Sequence, residues 1–327
     1  MVAANLTLPA TMRALLLTGV YNITVQDVPV PQLLSPTDAI VRLTTSAICG
    51  SDLFAYRGFA PQQPPYVPGH EGIGYVAQVG SAVTALSVGD YVVIPDNLHH
   101  GQLQMHQSFP TSYGSGLASP NMSGLQAEYA RVPAADANLI PLPIPLNETN
   151  PTLEQSFITV GDILATGWTA LSWSGFQPGD SVAVFGAGPV GMEALNAQLQ
   201  FEPPIVTQQM INVTNFEGGI GQVGVYNYVP GAPILQEHPN ITPSMDFPIS
   251  DFWIKALKYQ AGIVQPYRIA PDLVNLIASG RVNTTFITSA VINIEDGPEY
   301  YGRFNRTEEL KVFISFPHNT TRGSNLG

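Results

Sequence analysis

QPGDSVAVFGAGPVGMEALNAQLQ, residues 177–200, reads as a turn, a strand, a glycine-rich turn and a helix. In that order these elements open a nucleotide-binding βαβ unit. The glycines let the backbone approach a pyrophosphate, and the helix N-terminus faces it with free N–H groups. Gly186, Gly188 and Gly191 supply the G-x-G-x-x-G pattern, with Pro189 and Val190 between the last two, so these five are the candidate cofactor-binding residues. An acidic residue for a ribose is expected about 20 residues further on. Instead the chain runs FEPPIVTQQMINV, where Glu202 comes too early and precedes two prolines that do not suit a central strand. Residues 192–217 alone separate the loop from Gly218, and each βαβ unit takes roughly 30 residues or more. The intervening strands of a full dinucleotide fold do not fit, so the adenosine half of such a site is expected to be absent. GIGQVG at 219–224 leads into a strand and is not expected to be a phosphate loop.

Working outward, residues 12–45 and 72–95 alternate apolar and polar residues between Pro, Gly and Asp breaks, and QAEYARVP repeats the pattern. The first 150 residues are therefore expected to be mostly strand. Residues 97–125 are rich in Gly, Ser, Pro, His and Gln and read as an irregular lobe. LEQSFITVGDILATGWTALSWSG has helical spacing. DFWIKALKY and APDLVNLIASG read as strand or helix and then helix, and the end reads as strand, short helix and strand.

Three short motifs carry chemistry: Cys49-Gly50-Ser51-Asp52, Gly69-His70-Glu71-Gly72 and Gly161-Asp162 at the head of a helical stretch. A catalytic zinc needs about three protein ligands and one open position. Cys49, His70 and Asp162 supply that set, and Glu71 is a further carboxylate able to bind or orient. Taken singly, each has a plain structural role: a lone Cys as a small buried hydrophobe, His70 as a satisfied core histidine, Asp162 as a helix N-cap. Their joint occurrence in this order points to a metal.

The order CGSD, GHEGIGYVAQVG, VGDYVVIP, QAEYARVP, GDILATGWTAL and GAGPVG resembles zinc-dependent medium-chain dehydrogenases/reductases. The resemblance is to the alcohol dehydrogenase-like members, and most to the glutathione-independent formaldehyde dehydrogenase branch and related fungal enzymes. GGIGQVGVYNYVPGAP, DFWIKALKYQAGIVQPYRIAPDLVNLIASGRV and the closing GPEYYGRF extend it over nearly the whole chain. It implies an α/β fold: a GroES-like β-rich catalytic domain over 1–165, completed by about 285–327, and a shortened Rossmann-type domain over 166–284. It implies Cys49, His70 and Asp162 as zinc ligands, Glu71 as the neighbouring carboxylate, and Ser51 as the proton-relay hydroxyl. Its cofactors are zinc and NAD(P), its substrates small-molecule alcohols or carbonyls, and its members are commonly homo-oligomers. Trp168, Phe54, Tyr56 and Phe59 fall by resemblance near a pocket and suggest an apolar or aromatic substrate, although such aromatics also serve simply as packing.

The chain departs from the family pattern in three places. PDNLHHGQLQMHQSFP carries no cysteine where the family often has a structural zinc site, and His99, His100 and His106 there are expected to be solvated, with Asp96 the one carboxylate close by. Leu53 and Phe54 stand where a relay histidine often follows, and an apolar group passes no proton. The third departure is the shortened cofactor region. Three functions therefore stand side by side: a zinc oxidoreductase using NAD(P), a zinc-dependent lyase, isomerase or cyclase without nicotinamide, and a non-catalytic family descendant.

Composition narrows the partners. The 327 residues carry a net charge of -12, which repels nucleic acid and anionic lipid. No apolar run is long enough to cross a bilayer. Cys49 is the single cysteine, so an internal disulfide is excluded. Asn-x-Ser/Thr sequons stand at Asn5, Asn22, Asn121, Asn147, Asn212, Asn240, Asn283, Asn305 and Asn319. They matter only in the secretory route. The first residues lack a charged region and a clear cleavage site, so a cytoplasmic protein is expected, with secretion as the alternative.

Overall fold

The computed structural model describes residues 5–60, 65–99, 111–116, 122–186, 188, 190, 203–224, 228–239 and 242–317. The strands are β1 (Thr11–Gly19), β2 (Asn22–Pro29), β3 (Ala39–Ile48), β4 (Gly72–Val79), β5 (Tyr91–Ile94), β6 (Asn97–Leu98), β7 (Thr111–Ser112), β8 (Tyr129–Val132), β9 (Ile140–Pro141), β10 (Gly219–Gln222), β11 (Lys258–Ala261), β12 (Ala290–Asn293) and β13 (Val312–Ser315). The helices are α1 (Asp52–Tyr56), α2 (Ala135–Asn138), α3 (Pro151–Ile158), α4 (Ile163–Ser174), α5 (Pro203–Val213), α6 (Ile234–Glu237), α7 (Ile249–Ile254), α8 (Ala270–Ala278) and α9 (Gly297–Asn305).

β3 is the axis of a seven-stranded sheet ordered β12-β13-β3-β4-β5-β9, with β8 also paired to β3. All ten of its residues are buried, which is why its sequence, AIVRLTTSAI, does not alternate cleanly. The sheet separates two apolar clusters. One includes Leu15, Val41, Leu43, Ile48, Leu125, Tyr301 and Ile314; the other includes Ile73, Val93, Phe157, Ile158, Leu273 and Phe313. Phe157 and Phe313 are fully buried, and each such side chain contributes about 1.5–3 kcal/mol by leaving water. β12 and β13 come from the end of the chain yet lie in the same sheet as β3, with Val312 opposite Ile48.

The second half holds a separate two-stranded parallel sheet, β10 with β11. β10 lies against α4 so closely that a Cβ on Gly219 or Gly221 would come within 1.9 Å of the Ser174 or Ala170 carbonyl oxygen. The glycines of GIGQ thus serve strand-on-helix packing, as expected of a stretch that is not a phosphate loop.

One expectation is corrected here. Ser181–Gly186, read as the strand before the glycine loop, forms no strand, and all six residues are exposed. Val182 is 48% and Val184 61% accessible. A parallel strand needs neighbours on its hydrogen-bonding edges and cover on its faces. Among the described residues β10 is bonded to β11, and no strand pairs with SVAVFG. Pro189, Gly191 and the helix expected after them, together with His100 and His106, lie outside the described residues.

Candidate metal centre

The registers of the main sheet assemble the site. Ser46 pairs with Gly72 and Ile48 with Val312, so the residues just beyond these pairs meet at one end of the sheet. They are Cys49 after β3, His70 and Glu71 before β4, and Lys311 before β13. Asp162 arrives from a different direction, after the 3-10 turn Thr159–Gly161. That turn is tied down by the Asp96 N–H, which donates to the Gly161 carbonyl at 2.9 Å.

Cys49 Sγ, a ring nitrogen of His70 and carboxylate oxygens of Glu71 and Asp162 all lie within 4.8 Å of one another, a group large enough in donors and small enough in span to hold a metal ion. Cys49 Sγ is 3.4 Å from Asp162 Oδ2, and His70 Nε2 is 3.3 Å from the same oxygen. Among the described residues this is the one such group. The ordinary structural roles do not account for it. Asp162 stands at the N-cap position of α4, but its side chain makes no cap bond and turns to the cluster. The polar neighbours of His70 are Asp52, Ser51 and Asp162.

Ser51 Oγ shares a hydrogen bond with His70 Nε2 at 2.9 Å and donates to Cys49 Sγ at 3.2 Å. Ser51 is exposed, so the hydroxyl also meets water. Asp52 orients the centre: Oδ1 is 3.2 Å from His70 Nδ1, and Oδ2 accepts from the Cys49 N–H at 2.9 Å and from Gln126 Nε2 at 3.1 Å. Gln126 Oε1 in turn accepts from the Tyr301 hydroxyl at 2.7 Å. Glu71 and Lys311 are both fully buried and paired through Glu71 Oε1, while Glu71 Oε2 has no partner among the described residues.

Each ionisable group is shifted by its surroundings. Burial pushes the Cys49 thiol up, helped by the Asp162 and Glu71 carboxylates. Burial opposes the charge on His70, but Asp52 and the bonds to Asp162 outweigh it and push the ring well above its ordinary value. Burial likewise opposes the charge on Asp162, yet His70 holds it below the usual carboxylate range. Burial, then Asp162, raises Asp96 well above that range. Burial works against the Lys311 ammonium, and Glu71 more than offsets it. This crowd of anionic donors around one small space, with an unpartnered buried oxygen on Glu71, is chemistry that suits a divalent cation, which would hold Cys49 as thiolate.

The dinucleotide residues fare differently. Among the described residues a Cβ added to Gly186 or Gly188 would meet nothing within 4 Å, no strand is formed over Ser181–Gly186, and Val190 packs against the apolar cluster of Cys49, Ile163 and Ile287. The aromatic residues also divide. Tyr56 is core, packed on Tyr21 and Tyr301, and Phe54 stacks on Phe59 at 5.3 Å, while Trp168 is 46% exposed on α4. His99 belongs to a loop contact, its ring 4.6 Å from that of Tyr267 and its N–H donating to Asn138.

Sequence reasoning missed Lys311, Gln126, Tyr301 and the roles of Asp52 and Asp96. Only Asp52 carried a signal, its place inside the Cys-Gly-Ser-Asp motif. The others are brought in by strand pairing and burial.

Comparison with known proteins agrees with this geometry. Residues 35–144 match the alcohol dehydrogenase GroES-like domain. A zinc-type alcohol dehydrogenase-like protein of Bacillus subtilis is 37% identical over 198 residues, 56% of this chain and 51% of that protein. A medium chain reductase/dehydrogenase of an Acremonium species is 32% identical over 208 residues, 61% of this chain and 69% of that protein. The chain thus spans about half the length of several curated relatives it matches. A glutathione-independent formaldehyde dehydrogenase of Pseudomonas aeruginosa is 25% identical over 402 positions, 95% of this chain and 99% of that protein. Since 95% of 327 residues is roughly 311, about 91 of those 402 positions have no counterpart here. The alcohol dehydrogenase of Thermus sp. ATN1 superposes with a TM-score of 0.75 at 29% identity, covering 93% of this chain and 99% of that one. The architecture is a GroES-like β-rich part joined to a reduced Rossmann-type part, and the chain belongs to the medium-chain dehydrogenase/reductase family.

Proposed function

We propose that this chain is a zinc-dependent oxidoreductase of the alcohol/aldehyde dehydrogenase type, acting on a small or apolar alcohol or carbonyl compound. Cys49, His70 and Asp162 would hold the zinc, with Glu71 beside it. The observation that carries this reading is the convergence of those four donors within 4.8 Å from three separate parts of the chain. Zinc bound there would act as a Lewis acid on the substrate oxygen. The chain's own residues do the rest. Asp52 fixes the His70 ring and the Cys49 backbone. Ser51, in contact with both donors and exposed to solvent, would relay the proton lost from a substrate hydroxyl, accepting it as it releases its own towards solvent, without the histidine that Leu53 and Phe54 replace.

The unformed strand over Ser181–Gly186 and the short stretch of chain after it favour a second reading from the same centre: a zinc-dependent lyase, isomerase or cyclase that polarises a carbonyl and transfers no hydride. Turnover of alcohols or aldehydes that depends on added NAD(P) supports the first reading; turnover without it supports the second.

The metal is tested first. The purified chain should carry about one zinc per molecule, and Cys49→Ala or His70→Ala should lose both the metal and any activity. A variant that keeps stoichiometric zinc sinks the assignment.

The domain division near residue 165 belongs to the same proposal. Its support is that β12 and β13 share a sheet with β3 while β10 and β11 form their own. Assembly into a homo-oligomer and a reducing, cytoplasmic setting complete it. The first draws support from Trp253, 78% accessible, and the second from a lone thiol serving as a donor. No described helix is long and apolar enough to cross a membrane.

A further inference from the structure

We propose that Lys311 keeps Glu71 from ligating the metal, so that one coordination position stays open to substrate. This rests on the metal reading above and adds to it a reason why a site with four protein donors would use only three.

Both residues are completely buried, and the Lys311 ammonium is bonded to Glu71 Oε1. The lysine is not free to wander, because its backbone is clamped. The Lys311 carbonyl accepts from the Ser289 N–H at 2.9 Å and from Ser289 Oγ at 3.0 Å, and the Lys311 N–H donates to Ser289 Oγ at 3.2 Å. β13 then holds it against β3, beside Cys49. Glu71 is fixed at its backbone too, where Ser46 Oγ donates to its carbonyl at 2.9 Å. Only its side chain has a choice of partners. One oxygen is taken by Lys311 and the other is buried with no partner among the described residues, while the carboxylate as a whole brings an oxygen within 4.8 Å of the remaining donors.

Charge decides between those partners. A thiolate and two carboxylates around one divalent cation leave a buried site with excess negative charge, and the ammonium of Lys311 brings the sum to zero. Take the ammonium away and Glu71 becomes a buried carboxylate with no cation except the metal, so it turns onto the metal and fills the open position. Lys311 is thus a positioning residue that acts through Glu71.

The experiment uses the full chain loaded with cobalt(II), whose visible spectrum reports coordination, titrated with azide as an exogenous ligand. The original chain should respond to azide and saturate. Lys311→Met should keep cobalt, resist chelator better, and bind azide at least about 10-fold more weakly, in line with the effect of removing a group that orients a ligand. The double variant Lys311→Met with Glu71→Gln should regain the azide response, because the carboxylate that closes the site is gone. Glu71→Gln alone should keep the response. An unchanged azide affinity in Lys311→Met, or no recovery in the double variant, overturns the proposal. If Lys311→Met does not fold, the Glu71→Gln variant still decides, since loss of its azide response would show Glu71 to be needed rather than held off. An original chain that binds neither cobalt nor zinc overturns the metal reading itself, a different result from metal bound with no effect of Lys311.

Discussion

Asp52 Oδ1 stands 3.2 Å from Nδ1 of His70, and the other oxygen of the same carboxylate takes the Cys49 backbone N–H at 2.9 Å. One carboxylate therefore sets the ring orientation of one donor and the backbone of another. Gln126 holds Asp52 from behind, and Tyr301 holds Gln126. Asp52→Asn should leave the fold intact by circular dichroism and weaken zinc binding by about 10–100-fold in competition with a chelator. Unchanged affinity would remove Asp52 from the centre's support.

Nicotinamide binding should be weak or absent. The strand that would present Gly186 and Gly188 is not formed, and residues 203–216 hold no acidic residue where a ribose partner is expected. Calorimetric titration of the zinc-loaded chain with NADH and NADPH should show no micromolar binding. A dissociation constant in that range would restore hydride chemistry and discard the second functional reading.

Gly221→Ala should destabilise the second half of the chain without touching the metal centre. The new Cβ would sit 1.9 Å from the Ala170 carbonyl oxygen, and that backbone oxygen has no side-chain freedom with which to yield. The cost is about 1–3 kcal/mol, as for other overpacked sites. Thermal unfolding should show a lower midpoint with zinc content unchanged.

Alkali should unfold the chain through its buried phenols. Burial pushes Tyr66 up to about 12 and raises Tyr91, Tyr113 and Tyr301 as well. In the unfolded chain these groups ionise near ~10. Above that pH the unfolded state binds fewer protons than the folded one, so stability falls as pH rises. For Tyr66 the loss is spread from ~10 to about 12. Phenolate absorbance should rise together with the loss of structure. Early ionisation of all thirteen tyrosines in the folded chain would contradict the burial.

The donor set was legible because its residue types are rare and bounded by glycines. Cys49, His70, Glu71 and Asp162 could be named before any coordinates, and the early strands could be placed from alternation. SVAVFG was misread because its composition suits a strand while the chain around it supplies no neighbour to pair with. Local propensity carries no information about a missing partner. The resemblance places Tyr56 near a pocket, whereas its ring packs on Tyr21 and Tyr301 in the core.

By itself the sequence determined which metal-ligating residue types stand in its motifs and how few residues lie between the glycine loop and Gly218, since both depend on residue identity and length. Only the tertiary structure decided that Lys311, 240 residues after Glu71, is its buried partner, and that Asp52 and Gln126 support the centre. Those pairings arise from strand register and from exclusion of water. A buried charge must find a counter-charge wherever the fold brings one, however far away it lies along the chain.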